Sequence, residues 1–184
     1  MRVFVGCSTS SVVPIKYRDL ACEVATMLTR NNHKLVFGGP QSGMLGKCYM
    51  TFKYEEAKTK AVLDISEVSV LEDVDVDASK VSPSTFQKRE NIYISSELLL
   101  ILPGEIGTLA ELFSVMDEKI KKHGDVPIVL FNYDNFYTPL INFLRDMEKE
   151  GFINESHLNT IDIVTDVKSL EMYISRIESE KKES

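Results

Sequence analysis

The stretch Pro103-Gly104-Glu105-Ile106-Gly107-Thr108-Leu109-Ala110-Glu111 joins a glycine-flanked turn to a hydroxyl and a carboxylate. Glycines at a strand-to-helix turn let backbone N–H groups approach an anion, and the helix dipole favours negative charge there. Gly104 and Gly107 would allow that approach and Thr108 would add a hydroxyl, although the same residues also suit a plain turn and helix cap. Glu111 stands one helical turn beyond Thr108, so the two side chains share a helix face near its start. An acid there either complements the helix dipole or is the group that proton transfer and a developing cation require.

Two further turns carry similar chemistry. Gly6-Cys7-Ser8-Thr9-Ser10-Ser11 is a run of hydroxyls behind one glycine, and Gly38-Gly39-Pro40-Gln41-Ser42-Gly43 leads toward a second glycine at Gly46. Each follows a short apolar run, as the carboxyl end of a buried strand does. The pattern predicts strands at 2–6, 34–37, 60–65, 98–102, 126–131 and 161–164. It predicts helices from Tyr17 to a stop near Asn31-Asn32, and over 44–57, 86–96, 106–122, 136–150 and 167–180. Residues 66–85 alternate apolar and acidic types and read as an irregular strand or an ordered loop. Alternating strands and helices with short connections imply a Rossmann-like α/β fold, a parallel sheet flanked by helices on both faces. Ligands of such sheets bind beyond the carboxyl ends of the strands, where these glycine turns lie. One nucleotide-binding α/β domain is expected over 1–180, with 181–184 a frayed polar tail.

Composition narrows the function classes. The chain has 184 residues, 21 Lys+Arg against 28 Asp+Glu, and a net charge of -7, without the basic, aromatic-interleaved stripe of a nucleic-acid binder. No apolar run reaches the roughly 18 residues of a membrane span and no signal-peptide pattern opens the chain, so neither nucleic acid nor membrane is an expected partner. Cys7, Cys22 and Cys48 lack metal-ligand spacing and point to reduced thiols in a cytoplasmic protein. A nucleophilic Cys7 would need a base, and His33, His123 and His157 are expected at the surface, away from it. Met27, Met44, Met50, Met116 and Met147 fall at helical positions and read as core or interface packing. Asp73, Asp75 and Asp77 alternate like a cation loop but lack its glycine and terminal Glu, so a solvated acidic stretch is expected. Neither a metal nor a cofactor is expected. Pyridoxal-dependent decarboxylation is disfavoured because the chain is short for that cofactor's usual fold and no lysine is specially placed in the pattern.

Over nearly its whole length the chain resembles the LONELY GUY (LOG) cytokinin-nucleotide phosphoribohydrolases and their bacterial relatives, often labelled lysine decarboxylases. PGEIGTLAE at 103–111 matches the family's P-G-G-x-G-T-x-x-E, GCSTSS at 6–11 its first turn, and GGPQSGMLG at 38–46 its second, with Met44 and Leu45 in reversed order. PIVLFNYDNFYTPLINFLRDMEKEGFI at 127–153 is similar to the family's downstream strand, loop and helix. The family's R-K-x-x-M has its nearest match at Lys88-Arg89, either in inverted order or shifted by a one-residue deletion, and Glu105 replaces the middle glycine of P-G-G. The resemblance implies hydrolysis of the N-glycosidic bond of a nucleoside 5′-monophosphate, with Glu111 as the carboxylate and Lys88 or Arg89 as the cation. It places Ser8, Gly38, Gly39, Gly43, Gly104, Glu105, Gly107 and Thr108 against the substrate or its phosphate. It also implies a homodimer, for which Tyr93, Leu112, Phe113 and Met116 are the expected anchors. The alternative of another class is a nucleotide-binding sensor or carrier without turnover, which the Glu105 departure favours.

Overall fold

The first strand, β1 (Arg2–Gly6), buries Val3, Phe4 and Val5 completely, the mark of a strand covered on both faces. It pairs in parallel with β2 (Lys34–Phe37) on one side and β5 (Leu98–Ile101) on the other, so that Phe4 lies between Val36 and Leu99. With β3 (Thr59–Asp64), β4 (Ala78–Ser82), β6 (Ile128–Phe131) and β7 (Ile161–Val164) it forms a seven-stranded parallel sheet ordered β4-β3-β2-β1-β5-β6-β7. The computed structural model describes residues 1–184 except Asp73, His123 and Ser184, and all other side chains but those of Val70, Leu71, Lys122 and Glu183.

Strand alternation divides the core between the two faces. Val3, Val5, Leu35 and Phe37 pack with α1 (Ile15–Arg30), α2 (Gly43–Tyr54) and α7 (Val167–Glu183). Phe4, Val36, Leu99 and Ile101 pack with α3 (Thr85–Ser95), α4 (Ile106–Lys122) and α5 (Thr138–Lys149). The chain winds outward from β1 to β4, then crosses back to start β5 beside β1. The strand order therefore reverses between β1 and β5, and a crevice opens there at the carboxyl ends.

The Rossmann-like class and six of the strands follow the sequence pattern, whereas β4 does not. Its residues from Ala78 to Val81 are exposed and only Ser82 is buried, so it lacks the apolar alternation that marks a strand and is held by pairing to β3, Leu63 opposite Val81. The first residues of 66–85 belong to a 3₁₀ helix, Ile65–Leu71. α2 ends at Tyr54 rather than Ala57, with Glu56 in the left-handed region. A short α6 (Glu155–Leu158) was not expected. α7 runs to Glu183.

Other expectations also need correction. His33 is 1% exposed rather than a surface residue, while His157 is half-buried and His123 lies outside the described residues. Met50 is exposed, which removes core packing and leaves the interface alternative. Tyr93, Leu112 and Met116 are buried in the chain's own core, which leaves Phe113 as the one exposed member of the expected anchor set. The acidic stretch is solvent-exposed as expected at Asp75 and Asp77, which pair with Lys53 at 2.8 Å and Lys58 at 2.6 Å, and Asp73 lies outside the described residues. No helix among the described residues is long and apolar enough to cross a membrane.

Candidate active site

At the β1/β5 reversal lies a cleft of about 300 Å³ lined by Ser8, Ser10, Tyr17, Met44, Gly104 and Phe136 among others. Its floor is tied together by the backbone, since Leu102 N–H donates to Gly6 O at 2.9 Å and Ser8 N–H to Pro103 O at 3.3 Å. The Ser8 carbonyl in turn accepts from the N–H groups of Met44 at 3.0 Å and Leu45 at 3.3 Å. The amino end of α2 is thereby spent on holding the β1 turn. One wall is aromatic, with Tyr17 edge-on to Phe136 at 5.8 Å and to Tyr133 at 5.9 Å between ring centroids. The segment after β6 is fixed by Tyr137, whose N–H donates to Asn132 Oδ1 at 2.7 Å and whose hydroxyl donates to Leu102 O at 2.8 Å. An apolar, aromatic-walled cleft with few polar groups is the usual form of a small-molecule site.

A second group of residues lies alongside, where α3 and α4 meet the ends of β1 and β2. Glu111 presents its carboxyl toward Gly6, whose absent Cβ would sit 3.4 Å from Glu111 Oε2. Glu111 forms no hydrogen bond or ion pair among the described residues. Burial raises its pKa from 4.5 to about 7, against the opposing fields of Lys88 and Arg89 and with that of Glu67. Lys88 is buried, and its Nζ donates to Glu67 Oε1 at 2.8 Å. It lies against Gly38, where a Cβ would stand 2.8 Å from Lys88 Cε. Arg89, its neighbour on α3, is half-buried and forms no ion pair among the described residues. A carboxyl that exchanges its proton near neutrality, with cations close by, is equipped for acid–base work or for facing a transient positive charge.

A family model described as "Possible lysine decarboxylase" matches residues 51–174, about two thirds of the chain, including α3, β5 and the helix α4 that carries Glu111. The chain belongs to this family. Among curated relatives, cytokinin riboside 5′-monophosphate phosphoribohydrolase LOG1 of Arabidopsis thaliana is 28% identical over 96% of this chain and 85% of that protein. LOG3 of the same plant is 27% identical over 83% of this chain and 72% of its own length. Among solved structures, the molybdenum cofactor carrier protein of Chlamydomonas reinhardtii superposes with a TM-score of 0.69 at 16% identity, over 97% of this chain and 98% of that one. The molybdenum cofactor binding protein of Rippkaea orientalis gives 0.68 at 17%, over 96% and 94%. At such identities these two show the shared fold.

In this LOG-family chain the site residues expected from the sequence fall into three places. Ser8, Gly104 and Glu105 line the cleft. Glu111, Lys88, Arg89 and Gly38 form the adjoining group, and Thr108 is buried between the two, against Gly104. Gly107 opens onto empty space at the start of α4. Gly39 and Gly43 serve the loops instead. Gly43 has φ +57°, and a Cβ there would lie 2.5 Å from Ser10 O, so the β1 and β2 turns meet only because it is glycine. Glu105 reaches back to the β1 turn, where its Oε1 accepts from Thr9 N–H at 3.2 Å and Thr9 Oγ1 at 2.9 Å.

Two features had escaped the sequence pattern. Asp64 and Glu67 at the end of β3 form a capping box, with Asp64 N–H donating to Glu67 Oε2 at 3.0 Å and Ser66 N–H to Asp64 Oδ1 at 2.9 Å. The D-x-x-E spacing was the available signal. Lys88 proves to be a specially placed lysine, buried and paired, which no periodicity foretold. In line with the sequence expectation, Cys7 is a poor nucleophile, because contact with Cys48 and burial push its thiol well up.

Proposed function

We propose that the protein hydrolyses the N-glycosidic bond of a nucleoside 5′-monophosphate, releasing free base and ribose 5-phosphate. The observation that carries this reading is the Glu111 carboxyl, half-buried and largely desolvated, without an ion-pair partner among the described residues and titrating at about 7, one helical turn beyond Thr108. As the bond between C1′ and the base nitrogen breaks, positive charge develops on the ribose. Ionised Glu111 stabilises that charge and takes a proton from the water whose oxygen bonds to C1′; the proton ends on the departing base. The N–H groups of the Gly104 to Thr108 turn and the Arg89 guanidinium, which suits two-point contact with phosphate, hold the 5′-phosphate. Tyr17, Phe136 and Met44 offer the apolar wall against which a base stacks. The relatives named as cytokinin riboside 5′-monophosphate phosphoribohydrolases support the same chemistry.

The proposal extends to a homodimer in a reducing, cytoplasmic setting. The three cysteines are free thiols. Exposed Phe113 and Phe143 line an apolar groove of about 390 Å³ between α4 and α5, a surface that a second copy would cover. A non-catalytic carrier is the second reading, favoured by the Glu105 carboxylate engaging Thr9, a donor that an anionic ligand would otherwise use.

The test is a panel of nucleoside 5′-monophosphates assayed for free base and ribose 5-phosphate, with adenosine beside AMP. Turnover confined to the phosphorylated substrates is expected. Comparable turnover of adenosine would refute the phosphate anchor, and tight nucleotide binding without product would establish the carrier.

A further inference from the structure

Lys88 stands between two acids and is bonded to only one of them. Its Nζ lies 2.8 Å from Glu67 Oε1, with the lysine side chain 7% and the glutamate side chain 26% exposed. Glu111, the other acid in its field, has no ion pair within 4.0 Å among the described residues. A lysine has four rotatable bonds and a compact charge, so nothing in its own chemistry prevents it from turning to Glu111. Glu67 is held in place against that choice. Its Oε2 accepts Asp64 N–H at 3.0 Å, and Asp64 is fixed by Ser66 N–H at 2.9 Å and by Thr85 Oγ1 at 2.7 Å. Thr85 opens α3, the helix that carries Lys88, so the acid and the lysine are braced from one junction. Gly38 completes the channel by leaving room for the lysine stem.

We propose that Glu67 is a positioning residue of this site: by gripping the Lys88 ammonium it keeps that cation from closing on Glu111, and so leaves the Glu111 carboxyl free to exchange protons with substrate and water. This rests on Glu111 being the reacting acid. The charged and titratable groups facing Glu111 are Lys88 and Arg89 from α3, Glu67 from the 3₁₀ helix and Cys7 at the end of β1, with Glu105 acting on Cys7 from the turn before α4. Removing the Glu67 charge acts on Glu111 in one direction by two routes. The negative field that raises its proton affinity disappears, and the released ammonium is drawn to the remaining acid. An opposite charge at contact lowers a carboxyl pKa by roughly 1 to 3.

The experiment is a direct NMR titration of the Glu111 side-chain carboxyl in wild type, Glu67→Gln, Glu67→Asp, Lys88→Met and the double variant Glu67→Gln/Lys88→Met. Glu67→Gln is expected to lower the midpoint by about one pH unit or more. Glu67→Asp, which keeps the charge, should stay within about half a unit of wild type, and Lys88→Met alone should raise the midpoint. In the Lys88→Met background, Glu67→Gln should lose most of its effect. An unchanged or raised midpoint in Glu67→Gln overturns the proposal, as does an equal fall with Lys88 absent, which would make Glu67 a direct field and not a grip. Lys88→Met keeps the idea falsifiable if Glu67→Gln does not fold, since a midpoint that fails to rise means that Lys88 does not act on Glu111. The acid limb of kcat/KM should follow the same order, whereas a purely structural role would lower only Tm. The titration needs no turnover, so a wild type that hydrolyses no nucleotide counts against the proposed activity while the midpoints still decide the role of Glu67.

Discussion

Glu111→Gln should make the protein both inactive and more stable at alkaline pH. The substitution keeps shape and removes one charge. Burial raises the Glu111 pKa from 4.5 to about 7, so the folded chain holds a proton that the unfolded chain has already released. Below 4.5 both states are protonated and the residue costs nothing. Between 4.5 and about 7 the unfolded state alone ionises, stability falls as pH rises, and above that range the loss is constant. At about 1.36 kcal/mol per pH unit the full penalty is about 3 kcal/mol, and partial solvent access at the carboxyl brings it to about 2 kcal/mol. Glutamine never ionises. Its fold should therefore match wild type near pH 4.5 and exceed it by about 2 kcal/mol at pH 8, or about 4 to 8 °C in Tm for a domain of this size. Urea unfolding of both proteins at the two pH values reads this difference, and groups common to both cancel. Hydrolysis of a nucleoside monophosphate should meanwhile drop at least tenfold, a loss of about 1.4 kcal/mol or more in transition-state stabilisation. A variant less stable than wild type at pH 8, or a gap that does not change with pH, would refute the picture of an unpaired, largely desolvated carboxyl. Retention of more than about a tenth of the rate would remove Glu111 from catalysis.

Three other outcomes are expected. Glu105→Gly frees Thr9 N–H and Oγ1 and deletes a like charge, so AMP affinity measured by calorimetry should rise about fivefold, the worth of one net hydrogen bond; a fall would make Glu105 a group that reads the ligand. Phe113, at 42% exposure, tolerates Asp without unfolding, so sedimentation should show a wild-type dimer at micromolar concentration and a monomeric Phe113→Asp with unchanged Tm; a wild-type monomer ends the dimer proposal. Burial lowers the His33 pKa below 6.5, so acidification through that value protonates the unfolded chain first and destabilises the fold; His33→Gln should flatten the loss between pH 7 and pH 5 in urea midpoints, and an unaltered slope would assign it elsewhere.

Much of the architecture was legible in the chain alone because central strands covered on both faces must be apolar throughout. Val3 to Val5, Leu35 to Phe37 and Leu98 to Ile101 satisfy that demand within a few residues each, and the turns after them need glycine for close approach. The edge strand β4 was hidden for the opposite reason, since a strand that buries almost nothing carries no apolar signature. Glu111 and Thr108 announced themselves by spacing, which a helix converts directly into a shared face. The choice between Lys88 and Arg89 was not legible, because neighbours on a helix point about 100° apart and only the packing of α3 on β3 decides which of them enters the interior. The same holds for the pairing of Glu67 with Lys88, which spans 21 positions, and of Glu105 with Thr9, which spans 96. Local sequence determines which groups exist and which way each element turns them. The proton affinity of Glu111 and the partner of Lys88 depend on burial and on charges brought from distant segments, and these exist only once the sheet has closed and its helices have docked.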